Sequence, residues 1–180
     1  MSHTAQMDFV ARVKARFPEF FTHRRVLEVG SLNINGTVRD HFTDCDYVGV
    51  DLDNGPGVDV VGEGQELNYP TGLFDVSISA ECFEHNPHWV ETFNNMHRMT
   101  DGLVIVTCAT TGRPEHGTTA CEPSSSPLTV DRWDYYENLT EQDFRDCFDL
   151  DAMFTEYEFT TNDFFNDLYF WGLVSEEKNL

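Results

Sequence analysis

Lysine is nearly missing from this chain. Lys14 and Lys178 are the only two, and 11 basic residues in all face 32 acidic ones, a formal charge of −21. Phosphate binding needs clustered Lys and Arg, so no nucleic-acid partner is expected. Anionic membrane surfaces are disfavoured on the same ground. Long hydrophobic runs are missing too; none approaches the ~18 apolar residues of a membrane span, so no membrane insertion is expected. The 5 cysteines (Cys45, Cys82, Cys108, Cys121, Cys147) are scattered without a C-x-x-C spacing. That pattern gives neither a disulfide framework nor a zinc site, and it suits a reducing compartment. Met1 to Gln6 lacks the basic-then-apolar order of a signal peptide, so a cytoplasmic location is expected. No repeat and no linker divides the 180 residues, which are enough for one domain with a sizeable core.

What is present is a globular composition, with 40% hydrophobic residues and 15 Phe, enough apolar area to offset chain entropy. Phe9, Val10, Val13 and Phe17 have helical spacing that stops at Pro18. Five apolar runs follow: Val26 to Val29, Tyr47 to Val50, Val58 to Val61, Phe74 to Ile78 and Leu103 to Val106. Such β-branched runs ending in small or acidic residues read as buried parallel strands. Between the fourth and fifth, Asn86 and Pro87 suit a helix start. Trp89, Val90, Phe93, Met96 and Met99 form its apolar face, and Asp101-Gly102 closes it. Only Leu52 to Gly57 separate the second and third strands, so that crossover helix is abbreviated to an irregular connection. Residues from Thr107 to Thr129 lose all period, as in a lid or binding loop. Thr140 and Asp143 then frame a helix carrying Phe144, Cys147 and Phe148. Met153 to Thr160 and Leu168 to Val174, joined around Asn162 and Asp163, read as an antiparallel pair at the sheet edge. The expected fold is α/β: a Rossmann-like three-layer sandwich around a mostly parallel seven-stranded sheet. One domain is divided as 1–23 (helix), 24–106 (sheet core), 107–138 (lid or binding loop) and 139–180 (helix plus strand pair).

Open parallel sheets bind ligands outside the carboxyl ends of their strands. Gly30 follows the first strand, where the chain must turn sharply and approach a ligand closely. Asp51 ends the second strand 21 residues later, near the ~20 expected between such a turn and a ribose-binding acid. Alone, a glycine there is more often only a turn, and an Asp only a cap. The pairing at that distance carries the weight. A nicotinamide or flavin dinucleotide would need G-x-G-x-x-G, whereas Leu32 and Asn35 stand where the second and third glycines belong. A pyrophosphate then has no close backbone cradle, and a phosphate-free adenosyl cofactor fits better.

Val26-Leu27-Glu28-Val29-Gly30-Ser31-Leu32-Asn33-Ile34-Asn35-Gly36-Thr37 resembles the first motif of class I S-adenosylmethionine-dependent methyltransferases. The likeness is to their small type 11 branch, in a variant where Asn-rich sequence replaces G-x-G-x-G. Tyr47 to Leu52 resembles the second motif, Val60 to Gly64 the adenine-contacting stretch, and Phe74 to His85 the fourth-strand motif with its Glu-His pair. Arg113-Pro114-Glu115-His116-Gly117 and Tyr135-Tyr136 are similar to stretches in the same branch. The resemblance implies that Glu28 orients the methionine amino group and that Gly30, Ser31, Leu32 and Asn35 flank its tail. It further implies that Asp51 and Leu52 hold ribose and adenine, that Glu63 and Gly64 meet the adenine edge, and that Ala80 and Glu81 line the floor near the sulfonium. S-adenosyl-L-methionine is the implied cofactor.

His85 and His116 are the candidate general bases, being the side chains suited to proton transfer near neutral pH. A bracing role for His85 and a solvated one for His116 are the plainer readings. Tyr135, Tyr136 and Arg113 are candidate acceptor contacts. His88 and His97 read as surface or boundary residues, and Trp89 and Phe93 as core. A site from His85, His88 and His116 has no ligand spacing behind it, so no metal is expected. Ser79-Ala80-Glu81-Cys82 stands where methyltransferases of nucleic-acid amines carry N/D-P-P-Y/F, leaving a small-molecule, sugar, glycan or lipid-head-group acceptor. A non-catalytic binder or regulator on the same fold and, further off, an NAD-dependent oxidoreductase are the alternatives.

Overall fold

The computed structural model describes residues 4–175. Met1, Ser2 and His3 of the N-terminal stretch and Lys178 lie outside them. Seven strands form one sheet: β1 (Arg25–Val29), β2 (Asp46–Asp51), β3 (Val60–Val61), β4 (Phe74–Ala80), β5 (Thr100–Ala109), β6 (Phe154–Asn162) and β7 (Asp167–Val174). Their order is β3-β2-β1-β4-β5-β7-β6. The first five pair in parallel, while β7 is antiparallel to both β5 and β6. The expected three-layer α/β architecture is what the chain adopts.

Both sheet faces are covered, which is why the central strands are apolar throughout rather than alternating. On one face α1 (Thr4–Arg16) buries Phe9, Val10 and Val13 against Val26, Ile78, Ile105 and Trp171. This helix stops before Pro18, whose ring disfavours helical geometry in the residue ahead of it. On the other face α2 (Trp89–Met99) buries Phe93, Met96 and Met99 beside Leu27, Val104, Val106 and Phe170. Phe144 and Phe148 of the following helix join them, so much of the phenylalanine forms one aromatic wall. Two four-residue helices, α3 (Pro127–Val130) and α5 (Leu150–Met153), flank α4 (Glu141–Cys147). α4 opens on a capping box in which Thr140 and Asp143 exchange side-chain-to-backbone hydrogen bonds.

Several boundaries differ from the sequence expectation. Asn86 does not cap α2; its side chain accepts from the His88 N–H and donates to Thr92, and the helix begins at Trp89. Asp101 and Gly102 lie inside β5, because α2 runs directly into the strand at Thr100. β3 keeps only two residues, and the connection before it is irregular, with no helix at all. β5 extends to Ala109, shortening the irregular loop, and Cys147 faces outward from α4. The β1–β2 crossover contains a single 3-10 turn, Val38–His41, where a crossover helix is the norm.

Candidate functional site

The reversal of strand order falls between β1 and β4, so the carboxyl ends of β2, β1 and β4 open side by side onto one crevice. A cleft partly open to solvent occupies that position. Of the residues expected from sequence, Glu28, Gly30, Ser31, Leu32, Asn35, Asp51, Ala80, Glu81 and His85 line it.

Gly30 turns the chain with φ +83°, and a Cβ added there would lie 2.5 Å from the Cys82 Cβ. Glycine is therefore required twice over, by backbone conformation and by space. The N–H groups of Gly30 and Ser31 both donate to the Val50 carbonyl, at 2.9 and 3.1 Å, which ties this turn to the end of β2. Asp51 is braced from two sides: Oδ2 accepts from the Leu32 N–H and Oδ1 from the Leu52 N–H, each at 2.8 Å. Each oxygen keeps a second lone pair for a ligand hydroxyl. Burial raises the Asp51 carboxyl above its usual range, and the two backbone bonds oppose that rise. Glu28, 4% exposed, accepts from the Tyr47 hydroxyl at 2.8 Å. Burial pushes its carboxyl up to about 7, while the Tyr47 bond and the Arg39 charge pull it down. The Ser31 hydroxyl is buried and has no partner. Glu81 holds a left-handed backbone, φ 53°, with its carboxylate taking the Thr107 hydroxyl at 3.3 Å.

Other expected residues lie elsewhere. Leu52 contributes its N–H to Asp51, but its side chain stays outside the lining. Gly64 is buried beneath α2, where an added Cβ would lie 2.7 Å from Thr92. Glu63 pairs with Arg132, just beyond α3. Arg113 donates from Nη1 to the Phe165 carbonyl at 2.7 Å and to buried Asp167 at 2.9 Å. That Nη1 braces the β6–β7 turn. Tyr135 bonds Glu137, and the Tyr136 hydroxyl donates to Asn138 at 2.7 Å.

His85 and His116, 31 residues apart in sequence, meet with ring centroids 5.0 Å apart. The Tyr136 ring packs on both, at 5.5 and 5.0 Å. His88 is exposed and rests against Trp133, and His97 takes the Met153 carbonyl at 3.0 Å, so both are boundary residues. Burial lowers the His85 pKa to about 3 and also lowers that of His116, leaving both rings neutral at pH 7. Sequence reasoning missed Ile34, Gly36, Cys82 and the segment from Ser125 to Thr129, all of which line the cleft. The last of these lies in the aperiodic loop, whose only local signal is the Ser-Ser-Ser-Pro run ahead of α3.

No family model matches the chain, and no curated protein does. Solved structures do. Burkholderia thailandensis 1,6-didemethyltoxoflavin-N1-methyltransferase, determined with 1,6-didemethyltoxoflavin and S-adenosylhomocysteine, superposes with a TM-score of 0.63 at 16% identity, covering 94% of this chain and 78% of that one. The fold is that of the class I S-adenosylmethionine-dependent methyltransferases. Haemonchus contortus phosphoethanolamine N-methyltransferase 2, solved with S-adenosyl-L-methionine, gives a TM-score of 0.65 at 16% identity over 94% of this chain and 53% of that one. The YcgJ protein of Bacillus subtilis is matched over 99% of its length and 94% of this chain, with a TM-score of 0.59 and 11% identity. At such identities the likeness establishes the methyltransferase fold and leaves the chemistry to the residues.

Proposed function

We propose that this protein transfers a methyl group from S-adenosylmethionine to a small-molecule, sugar, glycan or lipid-head-group acceptor. The observation that carries this is the convergence of Glu28, Gly30, Asp51 and Glu81 on one cleft, at a glycine turn with no helix N-terminus behind it. Dinucleotide sites place a pyrophosphate on such a terminus; a cofactor with a cationic amino-acid tail needs carboxylates instead.

The residues present fit that cofactor. Gly30 leaves room for close backbone approach, and the unpartnered Ser31 hydroxyl awaits a ligand. Glu28 would face the ammonium group, Asp51 the ribose hydroxyls, and Ala80 and Glu81 the neighbourhood of the sulfonium. A bound sulfonium supplies an activated methyl group, which leaves as the acceptor's nucleophile bonds to it and the sulfur keeps the electron pair as a neutral thioether. The chain's part is to hold the acceptor in line, roughly 3–3.5 Å from the methyl carbon, and to exclude water. The segment from Ser125 to Thr129 supports the second task, because it roofs the cleft. His85, which lines the cleft, and His116, which packs on it, would face the acceptor. Glu63 and Gly64 remain candidates for the adenine edge, with Glu63 reached once the Arg132 pair opens.

Calorimetry with S-adenosylmethionine, S-adenosylhomocysteine and NAD tests the reading: the first two bind and NAD does not. Failure of the first two to bind overturns it. Binding without turnover across an acceptor panel favours the non-catalytic alternative.

A further inference from the structure

We propose that Glu84, His85 and His116 form a binding site for one divalent transition-metal ion of the zinc class, at the acceptor end of the cleft. Each residue offers one ligand atom, and these atoms lie within 4.8 Å of one another. All three side chains are buried, Glu84 completely. Among the described residues no side chain bonds either Glu84 oxygen, whose carboxyl is approached only by the backbone of Glu84 and Ala109, and His85 Nδ1 has no partner. Buried polar groups left without strong partners are costly, so a ligand shared by Glu84 and His85 would stabilise both.

The outer contacts have the form that metal-binding histidines use. A ligating imidazole usually donates its other N–H to a carbonyl or carboxylate, which sets the tautomer and aims the free nitrogen at the ion. His116 Nδ1 lies 3.1 Å from the Pro114 carbonyl, leaving Nε2 as the ligand atom. His85 Nδ1 has no partner among the described residues, which leaves it as the ligand atom. Gly117, at φ +65°, keeps the approach open, because a Cβ there would lie 2.7 Å from His85 Cε1 and 3.2 Å from Nδ1. Charge agrees as well. Glu81, Glu84 and Asp167 are buried carboxyl groups, and Arg113 is already paired with Asp167. Two imidazoles and a carboxylate are a donor set that zinc and its neighbours accept, with a remaining position open. Zinc bonds of about 2.0–2.2 Å hold tetrahedral ligand atoms about 3.3 Å apart, so the three side chains close by rotation when the ion enters. His85 lines the cleft, which gives the ion its entry path. A hydroxyl bound there would lose its proton more readily. That last role rests on the methyltransferase reading; metal binding does not.

The test uses the full chain, stripped with a chelator, exchanged into chelator-free buffer and titrated with Co²⁺ and then Zn²⁺. One equivalent of Co²⁺ is expected to bind with visible ligand-field absorption and without a thiolate charge-transfer band, and Zn²⁺ is expected to displace it. Glu84→Gln and His116→Ala should each weaken Co²⁺ by at least about tenfold, since even losing an outer-sphere partner weakens a site by ~10–100-fold. Should either variant fail to fold, the wild-type chain still decides. Bound Co²⁺ shifts two exchangeable imidazole N–H signals in the proton spectrum if two histidines ligate. Absence of stoichiometric binding, a thiolate band, unshifted imidazole signals, or unchanged affinity in both folded variants overturns the site. Cofactor calorimetry run in chelator reports separately on the methyltransferase reading.

Discussion

The two ends of the cleft are built in opposite ways. At the end formed by β1 and β2, most polar groups are satisfied within the chain: Asp51 by two backbone N–H groups, Glu28 by Tyr47, and the glycine turn by Val50. At the other end, Glu84 and His85 are buried with atoms that no side chain among the described residues satisfies. Strand ends hold the first set rigidly, since five parallel strands fix their relative positions. The second set is assembled across a long loop, with His116 brought onto His85 by turns and by the Tyr136 ring. On the two proposals, one end is preformed for its ligand and the other is completed by an ion.

The largest expected effect breaks the preformed end. Gly30→Ala forces a Cβ into Cys82 at a left-handed φ, so cofactor binding should be lost in calorimetry, while Co²⁺ binding at the far end persists if the chain still folds. Loss of both together would mean that the two ends are one unit.

Glu28 comes next. Its folded pKa of about 7 lies above the ordinary 4.5, so the neutral form is the one that folding favours. The contribution to stability is full below pH 4.5 and is lost as pH rises through about 7. Linkage sets its size at roughly 3 kcal/mol across that window. Denaturant unfolding of the unliganded protein at pH 5 and pH 8 should show that loss, and Glu28→Gln should flatten it. A cationic ligand group beside Glu28 restores its charge, so cofactor binding below pH 7 should release a proton, visible as a buffer-dependent calorimetric enthalpy.

Asp51→Ala should weaken the cofactor by ~1.5–3 kcal/mol, the value of charge-assisted hydrogen bonds. Unchanged affinity would remove Asp51 from the site. The smallest effect sharpens the contrast from the open end: His116→Ala should lower turnover while leaving cofactor affinity within about twofold, a change below 0.5 kcal/mol. An equal loss of affinity would show that the ends are coupled.

The sheet was legible because parallel strands covered on both faces are written as unbroken apolar runs. Leu27, Val76, Ile78, Leu103 and Ile105 are all fully buried. The cleft at the strand ends was legible for a related reason, since Gly30 and Asp51 sit at strand termini whose spacing depends on one short crossover. The misplacements were local. Asn86 looks like a helix cap, yet its side chain bonds His88 and Thr92. Arg113 reads as an acceptor contact within Arg-Pro-Glu-His-Gly, and its pairing with Asp167, far along the chain, is set by the fold alone. Gly64 reads as an adenine-edge glycine, and the packing of α2 against it is likewise not written locally.

By itself, then, the sequence determined the layered α/β sheet, the covered faces and the carboxylates at the ends of β1 and β2, because periodicity and strand-end chemistry are local properties. Tertiary structure alone decided that Glu84, His85 and His116 share one buried point, that His88 is excluded from it, and that Arg113 and Glu63 are already paired. Those outcomes depend on where a long aperiodic loop folds back onto the sheet, which neither hydrophobic period nor residue spacing encodes.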